Sequence, residues 1–430
     1  MFLKSFKDCN FDLEKTTFNQ DRTKIYVNAF YVESVFNCPT CGHTDLYNFG
    51  YKKKIVYHCT HYTYLYIVTC NIKRYKCKNC GCTFYENDTF SFPNERLSVE
   101  SIFQLLDLLK LPNETFESVA KSMHISRQTV YNIFNKYISY EKPADLPEII
   151  CFDEKHVNKR MTENTYLFIM VDFINNKIFD ILNSRHKYNL INYFKKIPLE
   201  QRKRVKFVSM DMWEPYKDVA TLFFKDALIA IDSFHVMRCV NSAMEKIRLS
   251  IMQKYNNNAE TLENNHEYYY MLKKYRYFFC KEFDDISDKR FFIRKLHRYM
   301  DKFDIKNYLL EIDPKLRLAY NLTAKYREFN KTSNYENAKI EFYEIVDLFR
   351  ESKLKPFVDC ANTLVNWGPY IINSFITLSD GRRLSNGPCE GINSTIEKIN
   401  LNGNGYWNFF SFKNRCAYVI NKDVPISFHK

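Results

Sequence analysis

A series of short apolar segments between residues 148 and 232 constrains the fold of this chain more than any other feature. In chain order, the segments have the patterns of three strands, a helix, a strand, a helix and a strand. The expected bounds are 148–152, 166–173, 177–183, a helix at 188–197, a strand ending at Asp211, a helix at 214–224 and a strand at 227–231. We therefore expect an α/β domain built on one sheet.

Three acidic residues lie where a predicted strand ends or where a turn enters a helix. Asp153 follows the first strand, Asp211 follows the fourth, and Glu390 follows Pro388, which suits the first turn of a helix. The order of the elements is that of a ribonuclease H-like fold, in which the first and fourth strands lie side by side. Open α/β folds bind ligands at the carboxyl edge of the sheet, and carboxylates are ligands for Mg²⁺. The sequence therefore has the outline of an Asp-Asp-Glu metal site.

Asp232 directly follows the last predicted strand and forms an Asp-x-x-His motif with His235. One interpretation makes both residues auxiliary members of the metal site. The other has Asp232 cap a helix, while His235 contacts phosphate or packs against its neighbours. Glu154 is expected on the face of the strand opposite to Asp153, as a surface or supporting acid.

Two Cys-x-x-Cys pairs near the amino end, Cys38/Cys41 and Cys77/Cys80, predict a structural Cys₄ zinc site. The 35 residues between the pairs exceed the usual spacing of about 15–20, but strand-like segments at 54–57 and 62–68 predict a hairpin that brings the pairs together. A redox dithiol is the alternative for either pair. Other cysteines and histidines nearby are additional candidates, although packing is the more common role of such residues: Cys59, Cys70, Cys82, His43, His58 and His61.

Residues 115–134 have the periodicity of a helix-turn-helix motif. Their predicted apolar positions are Phe116, Val119, Ala120 and Met123 in the first helix and Val130, Ile133 and Phe134 in the second. Ser126 can cap the second helix after a turn at His124, where glycine is frequent. The expected outward residues suit phosphates and base edges: Arg127, Gln128, Thr129 and Asn132. An ordinary helical pair at an interface is the alternative.

Composition supports a nucleic-acid partner and excludes several enzyme classes. The net charge of +13 favours a polyanion, although a basic protein kept soluble by its charge is the alternative. Glycine is absent between Gly81 and Gly368, which excludes a glycine-rich phosphate loop or dinucleotide fingerprint there. The amino end lacks the pattern of a signal peptide, and no apolar stretch approaches the ~18 residues of a membrane span. We therefore expect a cytoplasmic protein without membrane contact.

Taken together, these motifs resemble the ISL3 family of insertion-sequence transposases. The segments that carry the resemblance are the two cysteine pairs, Phe152-Asp153-Glu154, the stretch 208–216, the stretch 232–236 and the stretch 385–393. The resemblance implies a DDE transposase of the bacterial cytoplasm, associated with the nucleoid, whose catalytic triad Asp153, Asp211 and Glu390 binds Mg²⁺ or Mn²⁺. It further implies two-metal cleavage at the ends of an element, followed by transfer of the 3′-OH into target DNA.

The resemblance also implies partners and leaves rival functions open. The expected partners are double-stranded DNA, as terminal inverted repeats and as target, and further copies of the chain in a homodimer or higher oligomer. One rival is an inactive, transposase-derived DNA-binding regulator. The other is a metal-dependent nuclease that cuts without strand transfer.

The expected domain organisation has five parts. They are a zinc module at 1–95, a helix-turn-helix at 96–142, the first part of the catalytic domain at 148–235, an all-α insertion at 236–375, and a final helical part at 376–430 that carries Glu390. Amphipathic patterns predict helices at 234–255, 266–279, 288–302 and 337–355. Trp367 is expected in the core, with stacking on an unpaired base as its alternative role.

Overall fold

The computed structural model describes residues 9–19, 23–31, 35–59, 64–157, 161, 165–257, 265–280 and 289–427. His61, the start of the predicted strand at 62–68 and residue 288 lie outside these ranges. The chain forms two compact units, one comprising Met1–Glu141, Asn158–Met161 and Asn393–Lys430, the other Lys142–Val157 and Thr162–Ile392. Among the described residues, no helix combines the length and apolar character needed to span a membrane.

The first unit contains a five-stranded sheet. Its strands are β1 (Cys9–Phe18), β2 (Lys24–Tyr31), β3 (Leu46–Cys59), β4 (Leu65–Cys77) and β5 (Thr83–Tyr85). The order is β1-β2-β4-β3, with β5 also paired to β4, and only β2 and β4 run parallel. Strands β3 and β4 form the predicted hairpin, longer than expected, and its open end pairs Leu46 with Cys77. The hairpin therefore returns the second cysteine pair to the neighbourhood of the first.

Three helices follow the sheet in the first unit: α1 (Val99–Leu108), α2 (Phe116–Ser122) and α3 (Arg127–Tyr137). All seven predicted apolar positions of α2 and α3 are buried. Ser126 caps α3 by accepting a hydrogen bond from the Thr129 backbone N–H. His124 has a φ of 56°, the left-handed conformation for which glycine is usual at such a turn. The sequence pattern thus locates both helices and the turn between them.

The second unit contains the expected α/β sheet. Its elements are β6 (Ile149–His156), β7 (Tyr166–Asp172), β8 (Lys177–Leu182), α4 (Lys187–Lys195), α5 (Leu199–Lys203), β9 (Phe207–Met210), α6 (Glu214–Phe223) and β10 (Leu228–Ile231). Every predicted strand and helix of this region is present, and the short α5 is additional. The strand order is β10-β9-β6-β7-β8, with β10, β9 and β6 parallel and β7 antiparallel to both of its neighbours.

A largely helical segment follows β10. Its elements are α7 (Ser233–Asn257), α8 (Asn265–Lys274), β11 (Phe291–Ile293), β12 (Arg298–Met300), α9 (Lys302–Glu311), α10 (Pro314–Thr332), α11 (Tyr335–Glu351) and α12 (Lys355–Asn373). The insertion is therefore not all-α. The helix expected at 288–302 is wrong, because its aromatic and β-branched residues pair instead as a small antiparallel sheet that turns at His297, whose φ is 46°.

The last two helices, α13 (Gly387–Asn402) and α14 (Phe409–Asn421), change the expected boundary of the final domain. We expected 376–430 to complete the catalytic domain, but residues from Asn393 onward cluster with the first unit. The reason is hydrophobic: Ala417 and Tyr418 of α14 are buried in the same core as α1, α2 and α3, and the Tyr418 ring contacts the Phe134 ring at 5.8 Å. Helix α13 begins in the second unit and ends in the first.

This shared core predicts that α14 stabilises the amino-terminal helices. Tyr418→Ala should lower the free energy of unfolding of the first unit by about 3 kcal/mol, because it empties a fully buried site. Leu401→Ala, at a position 65% exposed, should change it by less than about 0.5 kcal/mol. Urea unfolding of the full-length chain followed by circular dichroism measures both. An unchanged transition in Tyr418→Ala would show that α14 does not belong to this core.

Candidate active site

Three aspartates lie side by side at the carboxyl edge of the three parallel strands. Phe152 of β6 pairs with Met210 of β9, and Met210 pairs with Ile231 of β10. The next residue in each strand is an aspartate: Asp153, Asp211 and Asp232. Because residues in register on neighbouring strands point to the same face, the three carboxyl groups start from one row. Asp211 and Asp232 are buried, and Asp153 is partly buried.

A single buried asparagine connects this row. The Asn386 side-chain amide donates to the Phe152 carbonyl at 3.1 Å and to Asp211 Oδ1 at 3.0 Å, and its Oδ1 accepts from Ser209 Oγ at 2.7 Å. The Asn386 backbone N–H donates to Asp232 Oδ1 at 3.0 Å. One residue just before α13 therefore holds all three strands by hydrogen bonds.

His235, in the first turn of α7, also contacts Asp211. His235 Nε2 lies 3.0 Å from Asp211 Oδ1, the same oxygen that accepts from Asn386. The hydrogen bond to Asp211 is the main cause that raises the pKa of His235, and burial opposes it. Since both donors use Oδ1, Asp211 Oδ2 makes no hydrogen bond with the described residues and is the oxygen available to a ligand.

Negative charge is concentrated at this edge. Burial, followed by the charge of Asp211, raises the pKa of Asp153 to about 7. Burial also raises the pKa of Asp232, against the stabilising hydrogen bond from Asn386. The Tyr216 hydroxyl donates to the Asp153 carbonyl at 3.4 Å and so fixes the backbone beside the carboxylate. Asp153 and Asp232 therefore bind a proton more readily than ordinary aspartates do.

Glu390 lies in the first turn of α13, one turn beyond Asn386, and its backbone N–H donates to the Asn386 carbonyl at 3.1 Å. Its side chain is exposed. The preceding Cys389 is buried; burial, contact with Cys151 and the charges of Asp153 and Asp211 together raise the pKa of its thiol. The backbone of Glu390 is thus tied to the aspartate row. Among the described residues, however, the Glu390 carboxylate does not form a close group of possible metal ligands with Asp153 and Asp211, whereas the four cysteines described below do form such a group.

Two further residues considered in the sequence, Glu154 and Trp367, lie outside the row of aspartates. Glu154 forms an ion pair with Arg185, as expected for an acid turned away from Asp153. The Arg185 guanidinium lies 3.8 Å from the Tyr166 ring centroid and 4.7 Å from that of Trp213. Trp367 is 6% exposed and packs in the core, the more favoured of its two expected roles.

The four predicted cysteines of the first unit come together. The Cys38 and Cys80 sulfur atoms are 3.6 Å apart, and those of Cys41 and Cys77 are also 3.6 Å apart. All four lie within 4.8 Å of one another, and this group can hold a metal ion. Burial acts to raise the pKa of Cys38, but the backbone N–H groups of Cys41 and Thr40 outweigh it and lower the value to about 6. The backbone N–H of Cys82 acts to lower the pKa of Cys80, but burial and the other three thiols outweigh it and raise the value to about 12. Thiolate is the form that binds metal, so Cys38 is better prepared for it than Cys80.

The additional zinc candidates lie outside this cluster. Cys59 and Cys70 are buried in hydrophobic cores, and His58 Nδ1 hydrogen-bonds Ser98 Oγ at 2.8 Å. His43 is exposed and is not part of the cysteine group, and Cys82 instead accepts a hydrogen bond from Thr40 at 3.2 Å.

The predicted DNA-contacting residues lie at the start of α3. Arg127, Gln128 and Asn132 are exposed, and Thr129 is half-buried beneath the Ser126 cap. Gln128 Nε2 donates to Asn132 Oδ1 at 2.7 Å, which orients both amides along one face of the helix. This face is polar and accessible, as a surface that contacts DNA must be.

Comparison with models of known protein families assigns the chain to a family. The model of the ISL3 transposase family, described as a transposase, matches residues 150–416, which is more than half of the chain. The protein belongs to this family. A comparison with curated proteins gives no match.

Sequence reasoning missed the roles of Asn386 and Arg185. Asn386 lies in the segment 385–391, and an asparagine four residues before Glu390, one helical turn away, is the sequence signal that could have identified it. Arg185 follows β8 in a loop, where the sequence gives no indication of the ion pair with Glu154 or of stacking on two rings.

The Asn386 network predicts a large stability effect from one truncation. Asn386→Ala should lower the free energy of unfolding of the second unit by about 2–4 kcal/mol, because it leaves the Phe152 carbonyl and Ser209 hydroxyl buried without their partner. Ser385→Ala, which removes only an acceptor for Gly387 at 3.3 Å, should cost less than about 1 kcal/mol. Denaturant unfolding in EDTA separates this effect from metal binding. Equal stability of both variants would contradict the bridging role of Asn386.

Proposed function

We propose that the protein is a DDE transposase that cuts DNA at the ends of its element and joins the released 3′-OH to target DNA. The observation that carries this proposal is the row of aspartates on adjacent parallel strands in a chain of the ISL3 family. Asp153, Asp211 and Glu390 are assigned as metal ligands, and His235 as a residue that positions Asp211. The strand order supports assignment of the second unit to the ribonuclease H-like fold.

The donor set suits Mg²⁺ or Mn²⁺. Carboxylate oxygens are the hard ligands that these ions prefer, and a site with few protein ligands leaves room for water and phosphate oxygens. Bound divalent cations supply activation of the attacking hydroxyl and stabilisation of charge at the reacting phosphorus. We assign Glu390 as the third ligand because its backbone is bonded to Asn386, one turn away, and its side chain is exposed.

The residues of the chain prepare this site before DNA arrives. Asn386 and His235 hold one oxygen of Asp211, so the other oxygen keeps a fixed direction. Tyr216 fixes the backbone of Asp153, and Arg185 holds Glu154 away from the ligand row. Such preorganisation places the ligands without rearrangement at the moment of reaction. In cleavage, water attacks the phosphodiester and the 3′ oxygen leaves; in joining, that 3′-OH attacks a target phosphodiester and displaces its 3′ oxygen.

Substitution of the acids tests these assignments. Asp153→Asn, Asp211→Asn and Glu390→Gln should each lower cleavage and joining by more than about 100-fold, beyond the 10–100-fold typical for a residue that only supports metal ligands. Asp232→Asn should fall within that smaller range, because Asp232 accepts the Asn386 N–H and keeps its place. Asp226→Asn, at an exposed site, should keep full activity.

The assay uses end-labelled element DNA with Mg²⁺ and separates hydrolysis from strand transfer on a sequencing gel. Full activity in any triad variant would remove that residue from the site. Hydrolysis without joined product in the unaltered protein would favour the nuclease, and DNA binding without either product would favour the inactive regulator.

The first unit is assigned to DNA binding and metal-dependent folding. We assign α3 as the helix that contacts the terminal inverted repeats through Arg127, Gln128, Thr129 and Asn132. We assign Zn²⁺ to the Cys₄ group, because its sulfur separations of 3.6 Å fit the ~3.8 Å of a tetrahedral site with Zn–S bonds of ~2.3 Å. Two copies of the chain on DNA are expected, since two element ends must be joined.

Metal analysis tests the zinc assignment. The purified chain should contain one Zn²⁺, and Cys77→Ser should lose it because only three thiolates remain. Cys82→Ser is the matched control and should keep the ion, since Cys82 lies two residues from Cys80 but outside the cluster. Removal of zinc by a chelator should destabilise the first unit, as measured by thermal unfolding. Zinc retained in Cys77→Ser and lost in Cys82→Ser would reverse the ligand assignment.

A further inference from the structure

A cleft of about 730 Å³ opens beside the start of α3 in the first unit. Its lining combines the first turns of α2 and α3 with the turn that connects α13 to α14. Residues on the α3 side include Arg127, Gln128 and Tyr131, and residues on the opposite side include Tyr406 and Trp407. The cleft therefore adjoins the residues assigned to DNA contact.

Aromatic rings build the floor of the cleft. The Phe116 ring contacts Tyr131 at 5.5 Å and Tyr406 at 6.2 Å, and Tyr406 packs on Phe412 at 5.0 Å. Gly403 is required by this packing, because a Cβ there would lie 2.8 Å from the Tyr406 ring. The floor is thus a fixed apolar surface.

The rim presents an exposed indole. Trp407 is 73% exposed and immediately precedes Asn408, whose side chain caps α14 by accepting from the Ser411 N–H at 2.9 Å. An exposed indole at the edge of a cleft offers a face on which a base can stack. Its position at a cleft rather than on a convex surface suits a flat ligand.

Charge at the cleft suits an anion. Glu117, the acid in the lining, is ion-paired with Lys121 at 3.4 Å. Arg127, the positively charged residue of the lining, is exposed at the start of α3.

We propose that this cleft receives one unpaired nucleotide of the element's end, with the base against Trp407 and the phosphate near Arg127. The proposal rests on the proposed function, and it adds residues 403–408 to the DNA-contacting surface. Bases inside a duplex are covered by their neighbours, so only a base out of the stack can place its face on these rings. A cation beside aromatic rings is the usual combination for binding unpaired strands.

Two DNA probes test the proposal with the full-length chain. One is a fully paired duplex of the element's end, and the other is the same duplex with three unpaired thymidines at its terminus. The unaltered protein should bind the second probe about tenfold more tightly, the scale of one stacked base. Trp407→Ala should abolish this preference without weakening binding to the paired probe, and Trp407→Phe should restore part of it. Arg127→Ala should weaken binding to both probes.

Phe410→Ala is the matched control, because Phe410 is also 73% exposed but does not line the cleft. It should leave the preference unchanged. Quenching of tryptophan fluorescence by the unpaired probe should be smaller in Trp407→Phe than in the unaltered protein. Equal affinity of the unaltered protein for both probes, or an equal loss of preference in Phe410→Ala, would overturn the cleft assignment alone. Failure of the unaltered protein to bind either probe would overturn the proposed function as well.

Discussion

The candidate active site depends on the register in which β6, β9 and β10 pair. Phe152, Met210 and Ile231 are aligned across the three strands, so the aspartate that follows each one belongs to the same row. A slip of one residue in β9 would turn Asp211 to the other face of the sheet. Asn386 opposes such a slip because it bonds the β6 backbone, Ser209 of β9 and the two aspartates that follow β9 and β10.

The same register creates an electrostatic conflict. Neighbouring buried carboxylates repel one another, and the raised pKa of Asp153 reflects both burial and the charge of Asp211. Asn386 and His235 donate to Asp211 but do not neutralise the row. Clusters of this kind mark functional sites more often than structural ones, and a divalent cation would relieve the repulsion. The closeness of these carboxyl groups thus lowers the stability of the fold, while the same closeness suits them to bind a cation.

Local sequence patterns predicted much of this fold, because they reflect local physics. Period-two and period-3.6 apolar patterns located β6 to β10 and the faces of α2 and α3, and paired cysteines located the group of four that can hold a metal ion. Contacts between residues far apart in the sequence could not be predicted from these local patterns. Asn386 bonds Phe152 across 234 positions, and Tyr418 packs on Phe134 although the whole second unit lies between them in the sequence. The hairpin at β11 and β12 was predicted as helix because short aromatic runs fit both patterns.

Iron-directed cleavage of the protein tests most directly whether these acids hold the metal. Fe²⁺ replaces Mg²⁺ in oxygen-ligand sites, and with ascorbate and peroxide it generates radicals that cut the backbone nearby. We predict cuts next to Asp153 and Asp211 and within residues 386–390, which Mg²⁺ should suppress and which should be lost in Asp153→Asn and Asp211→Asn. Cuts confined to other parts of the chain, or an unchanged pattern in both variants, would contradict it.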